Sequence, residues 1–149
     1  MVQSQCAYVC GLLLACCLSL VPAQAQERVA VIQVTGAVLT PTTLDRQALE
    51  KMPQTQVQVG SRAYTGVSLW TLLNTIGIVR DASRHNPLVS MYVLAIGRDG
   101  YRAVFSLAEL DPDLGAQVVL VAHRVDGDPI SQPGGGPARL ITPDDRKPS

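Results

Sequence analysis

No cysteine occurs beyond Cys17. All four thiols, Cys6, Cys10, Cys16 and Cys17, sit in the first 17 positions of a 149-residue chain. A chain that begins after them has no disulfide framework, no thiolate metal ligand and no cysteine nucleophile. Charge is missing from the first 25 residues, which hold no Asp, Glu, Lys or Arg. Neither sign is in excess overall, because twelve basic side chains balance twelve acidic ones. Such a chain has no global field for nucleic acid or for a membrane surface. The apolar run at residues 11–21 is too short for a comfortable membrane span. No internal repeat is visible, and 47% hydrophobic with 16% charged residues describes one small soluble domain.

What is present begins with that apolar run. It is followed by Pro22 and by Ala23-Gln24-Ala25, an A-x-A cleavage pattern, so residues 1–25 read as a secretory signal peptide and the mature chain starts at Gln26. The expected organisation is one domain over 26–149, periplasmic or secreted. The alternative is a lipoprotein, since Leu13-Leu14-Ala15-Cys16 resembles a lipobox with Cys16 as the lipidated residue.

Along the mature chain, β-branched residues suggest a strand over 28–34. Thr42 and Asp45 stand at capping-box spacing and predict a helix from there through Met52, stopped by Pro53. Residues 55–60 alternate like a short strand. After Gly66, Ser68 caps a helix in which Leu69, Leu72, Leu73 and Ile76 form one apolar stripe, and Gly77 closes it. Trp70 lies off the stripe and reads as a packing or partner-facing residue. Residues 90–97 and 101–105 form a hairpin around Asp99-Gly100. Ser106 and Glu109 give a second capping box, limited by Pro112. Residues 117–125 are an apolar strand, Asp126-Gly127 a turn, and residues 138–142 a last strand. Strands and helices interspersed with hairpins predict an α+β domain with a mixed β-sheet and short helices.

The low-complexity stretch GDPISQPGGGPARLITP, residues 127–143, invites a phosphate-loop reading. A Walker loop needs lysine and a hydroxyl after its last glycine, whereas Gly136 is followed by Pro137-Ala138-Arg139. A dinucleotide fingerprint needs a glycine where Arg139 stands. Both fail, leaving a loop whose Arg139 can offer a planar fork to a phosphate or carboxylate, or pair with a surface carboxylate. His85 and His123 have no ligand spacing, no G-x-S-x-G elbow occurs, and Asp99 and Glu109 already have turn and cap roles.

Five motifs in order carry a resemblance: Tyr64-Thr65-Gly66-Val67-Ser68-Leu69, Asp99-Gly100-Tyr101, Ser106-Leu107-Ala108-Glu109-Leu110, Asp126-Gly127-Asp128-Pro129-Ile130 and Gly136-Pro137-Ala138-Arg139-Leu140-Ile141-Thr142-Pro143. Together they resemble the oxidoreductase molybdopterin-binding domain of sulfite oxidases and related periplasmic methionine sulfoxide reductases. The resemblance implies a sulfite-oxidase-like fold, a molybdenum held by a pterin dithiolene and one cysteine thiolate, and oxygen-atom transfer. It also implies a cofactor-binding loop made here by Gly134, Gly135, Gly136 and Arg139. Arg139 matches the family arginine, but Gly134 stands where the family carries a pterin-contacting His or Asn. The family also continues beyond the Pro143 segment into a further strand, so the expectation is either a missing edge strand or a domain truncated at its C-terminus.

Residues and resemblance together predict an exported binding or accessory module on this fold, without molybdenum and with no metal ligands. Its expected partner is a protein or a small anionic ligand. The alternatives are a periplasmic pterin-dependent oxidoreductase, or a subunit of one, and a small-anion-binding domain; molybdopterin enters only through the resemblance.

Overall fold

A computed structural model describes residues 31–130 and 136–143. The expected signal peptide and lipobox, the first residues of the first strand, Gly134, Gly135 and the tail 144–149 lie outside the described residues.

The first hairpin pairs β1 (Ile32–Val34) with β2 (Thr42–Leu44), Ile32 facing Leu44. This corrects the helix start expected at Thr42. Asp45 is the extended residue, at φ −93° and ψ −179°, and its carboxylate accepts the Ala48 N–H at 2.8 Å. The helix α1 (Arg46–Glu50) is therefore capped by Asp45 itself, while β-branched Thr42 and Thr43 serve a strand.

The next hairpin joins β3 (Thr55–Val59) to β4 (Arg62–Ser68). β3 matches its sequence reading, whereas the sequence reading placed no strand over the residues of β4. It runs directly into α2 (Leu69–Ile76), where Ser68 Oγ accepts the Thr71 N–H at 3.0 Å and Leu69, Leu72 and Leu73 are buried. Gly77 N–H closes the helix on Leu73 O at 2.9 Å. Trp70 packs against the core as a half-buried residue.

After a 3-10 turn (Pro87–Ser90), β5 (Tyr92–Ile96) and β6 (Arg102–Ser106) form the hairpin expected around Asp99-Gly100. The helix α3 (Leu107–Leu110) follows, and Ser106 N–H donates to Glu109 Oε2 at 3.3 Å, the return bond of its capping box. The strands β7 (Leu120–Val125), β8 (Asp128–Pro129) and β9 (Arg139–Ile141) complete the described chain.

The main sheet has five strands: β3, β4, β7 and β8 in that order, with β9 also on β7. β8 pairs with Arg124 and Val125 while β9 pairs with Leu120, Val121 and Ala122, so the two short strands share one edge of β7 end to end. The architecture is α+β as expected. Among the described strands every ladder is antiparallel, so the strand directions are not mixed.

β7 divides the interior by simple alternation. Val119 and Val121 join the cluster of Leu49, Val67, Leu72 and Leu107, whereas Leu120 and Ala122 join Tyr64, Ile130 and Ile141. Leu49, Val67 and Leu120 are each 0% exposed. Burial of a leucine to this extent stabilises by roughly 1.5–3 kcal/mol, and β7 draws on both clusters. One irregularity interrupts it. Thr65 faces Arg124 and Gly66 faces Ala122, so one step along β4 spans two along β7 and His123 is the extra residue of a bulge.

Candidate functional site

Two polar recesses flank this strand, and they share no lining residue. The first, of about 290 Å³, is lined by Arg62 and Tyr64 from β4, by Asp128 and Ile130 around β8, and by Arg139 from β9. Register explains the convergence. Arg139 lies opposite Ala122, which lies opposite Gly66, so the one small residue Ala122 separates the arginine from the side-chain-free Gly66 of β4. Tyr64 faces Val125 in the same sheet. The turn that holds β8 is fixed by Asp126, whose N–H donates to Ala63 O at 2.8 Å and whose carboxylate accepts the Ala63 N–H at 2.9 Å. Asp126 and Gly127 have φ of 52° and 89°, the left-handed pair a tight hairpin needs.

Arg139 is thus brought into a recess with a second arginine, Arg62, that sequence reading did not single out. Arg62 has no motif around it, and only the β4–β7–β9 register assembles the pair. Gly136, half-buried, stands close to Arg98 of the β5–β6 turn, whose Cδ would lie 4.0 Å from a Cβ at position 136. Gly134 and Gly135 of the expected loop fall outside the described residues. Among the described lining residues, two guanidinium groups stand against one carboxylate, a set suited to an oxyanion.

The second recess, of about 240 Å³, is lined by Glu50, Gln54, Thr65, His123 and Arg124. Because His123 is the bulged residue, consecutive side chains of β7 reach the same recess. His123 is 2% exposed. Its Nε2 lies 2.7 Å from Gln54 Oε1, and its Nδ1 has no hydrogen-bond partner. Arg124 Nη2 donates to Glu50 Oε1 at 2.9 Å, and the same oxygen is 3.9 Å from His123 Nδ1. Burial pushes the His123 imidazole below its ordinary value of 6.5; the Glu50 carboxylate opposes this, and Arg124 and Arg46 add to it. The sequence carried no sign of this constellation beyond an isolated histidine at the end of an apolar strand.

The other candidates behave as local structure. Asp99 accepts the Tyr101 N–H at 3.0 Å in its turn, and Glu109 closes its cap. His85 lies in an exposed loop. Among the described residues no group of three or more His, Cys, Asp or Glu is arranged to hold a metal ion, and no helix is long and apolar enough to cross a membrane.

These features define an α+β domain with an arginine-lined recess beside the edge of its main sheet. The family model for the oxidoreductase molybdopterin binding domain matches residues 55–145, more than half of the chain, and the chain belongs to that family. Comparison with curated protein sequences finds no match.

Proposed function

We propose that the chain is an exported binding module on the molybdopterin-binding domain, with a sulfite-oxidase-like fold, that takes an oxyanion in the Arg62–Arg139 recess and holds no thiolate-ligated molybdenum by itself. The observation that carries this reading is the meeting of Arg139, the arginine of the family's G-x-P-x-R segment, with Arg62 and Tyr64 in one recess. Two forks and a phenol suit the phosphate end of a pterin cofactor or a small inorganic oxyanion. They offer nothing soft enough for molybdenum. The only thiols of the chain precede residue 18, inside the segment read as a signal peptide, so a thiolate ligand has to come from elsewhere. The residues fit the anionic end of the cofactor and not its metal, and no redox step is assigned to this chain.

Export rests on the uncharged residues 1–25 with their A-x-A end. Intact-mass measurement of protein from the exported fraction is expected to give a chain starting at Gln26; a lipid-modified Cys16 would replace that reading. The same protein is then assayed for molybdenum and pterin and titrated with inorganic phosphate at low and high salt. The proposal expects substoichiometric molybdenum and phosphate binding that weakens with salt and in Arg139→Ala. Molybdenum near one equivalent, or phosphate binding indifferent to Arg139, overturns it.

A further inference from the structure

The recess lined by Glu50, His123 and Arg124 has a chemistry of its own, set by one histidine tautomer. Gln54 Nε2 donates to Leu49 O at 2.8 Å and to Met52 O at 2.7 Å, so its amide oxygen is the atom turned to His123 Nε2. A carbonyl oxygen only accepts, which places the ring proton on Nε2 and a lone pair on Nδ1. That lone pair is buried and unpartnered. The nearest charged oxygen, Glu50 Oε1 at 3.9 Å, is also an acceptor. Two acceptors face each other with no hydrogen between them, an arrangement that buried polar atoms rarely tolerate.

The charges around the ring decide what kind of donor fits. Glu50 and Arg46 reach it from α1 and Arg124 from β7, one anion against two cations. A cation is disfavoured there, and an anion would meet both the lone pair and the Glu50 carboxylate. The Glu50–Arg124 pair lines the recess, with side chains 35% and 39% exposed. Exposed pairs of this kind part readily. Once parted, Glu50 needs a donor, Arg124 needs an acceptor, and His123 Nδ1 beside them still needs a donor. One nitrogen bearing two hydrogens reaches acceptors 3.9 Å apart at ordinary hydrogen-bond distance from each, and a carbonyl attached to it meets Arg124.

We propose that this recess binds an uncharged primary carboxamide, or an equivalent NH₂ beside a carbonyl, with His123 Nδ1 and Glu50 accepting and Arg124 donating. The site is separate from the Arg139 recess and does not rest on the function proposed for it.

Three probes of one shape test the assignment: benzamide, benzamidinium and benzoate, each titrated into full-length mature protein while the His123 ring nitrogens are followed by NMR. Benzamide is expected to move the Nδ1 resonance saturably. Benzamidinium forfeits Arg124, and benzoate forfeits both His123 Nδ1 and Glu50, so each should bind about fivefold or more weakly, the equivalent of at least one hydrogen bond. Glu50→Gln, a change at an exposed side chain, brings an NH₂ group to Nδ1 from within the protein and is expected to abolish benzamide binding while leaving the fold intact. Benzoate binding as tightly as benzamide would make this an Arg124 anion site. Preference for benzamidinium would make it a Glu50 cation site. Either result, a silent His123 with all three probes, or undiminished benzamide binding by Glu50→Gln, overturns the proposal.

Discussion

His123 and Arg124 are neighbours in β7, yet both reach the same recess, because His123 is the residue that β4 leaves unmatched between Thr65 and Gly66. The bulge depends on Gly66. A Cβ there would collide with Val121 O and lie 2.6 Å from Ala122 Cα, both backbone atoms that cannot swing aside. Gly66→Ala is therefore expected to destabilise by about 1–3 kcal/mol or more, as overpacking does. Urea unfolding measures it, and a loss below about 0.5 kcal/mol, the range of indifferent surface changes, would show that β4 and β7 are free to separate.

Acid should weaken the fold through His123. Its imidazole is neutral in the native state and held below the ordinary value of 6.5, while the unfolded chain protonates at that ordinary value. The unfolded state thus binds more protons as pH drops through 6.5. Stability contributed by the neutral ring is complete above 6.5 and is lost as pH falls from there through the lower folded value. Unfolding midpoints measured between about pH 5 and 8, the range where histidine titrates, should fall on the acid side in the native sequence. The slope should flatten in His123→Gln, whatever that variant loses in absolute stability. An unchanged slope would place the titration elsewhere.

The Gln54 amide should matter more than its exposed position suggests. It holds Leu49 O and Met52 O with one end and the buried His123 Nε2–H with the other. Gln54→Met keeps much of the volume and removes every bond, leaving a buried donor unsatisfied. A loss of about 1–3 kcal/mol in chemical denaturation is expected, near that of Gln54→Ala, because the penalty is polar rather than steric. A neutral Gln54→Met would show that the ring finds another acceptor.

Local signals were legible wherever one segment supplies its own chemistry. Ser68 with the Leu69–Ile76 stripe, Asp99-Gly100, the Ser106–Glu109 box and Asp126-Gly127 all act within a few residues, and each forms as read. Thr42 misled because its spacing to Asp45 imitates a cap, while pairing with β1, invisible in a local window, drew it into a strand. Arg139 was found through its motif. Arg62 was not, since it lies at the start of a strand and meets Arg139 only through the register of three strands. His123 likewise looked like an ordinary end of an apolar run until the bulge turned it toward α1.

Ser68 offers a check on the clearest of those local readings. Its hydroxyl accepts the Thr71 N–H at 3.0 Å and donates to Thr71 Oγ1 at 2.7 Å, so the first turn of α2 is closed by one side chain. Ser68→Ala should cost about 1 kcal/mol and Ser68→Asp far less, since an aspartate caps as well as serine. Equal losses in the two variants would assign the effect to packing of β4 instead of capping.

The charge of the Arg139 recess supplies the prediction with the most distinctive signs. If Arg62 and Arg139 act together, removing either should weaken phosphate binding by about tenfold or more, the worth of a hydrogen bond to a charged group. Arg139→Lys keeps the charge but loses the planar fork, so it should recover only part of the affinity. Asp128 lines the same recess with the opposite sign. Asp128→Asn should therefore strengthen binding, and more so at low salt, where the repulsion is least screened. Calorimetric titration of the four variants separates the readings: weakening by both arginine changes with strengthening at Asp128 places the oxyanion in this recess. A response to Arg139 alone, with Arg62 and Asp128 silent, would move the ligand away from β4 and toward the glycine loop.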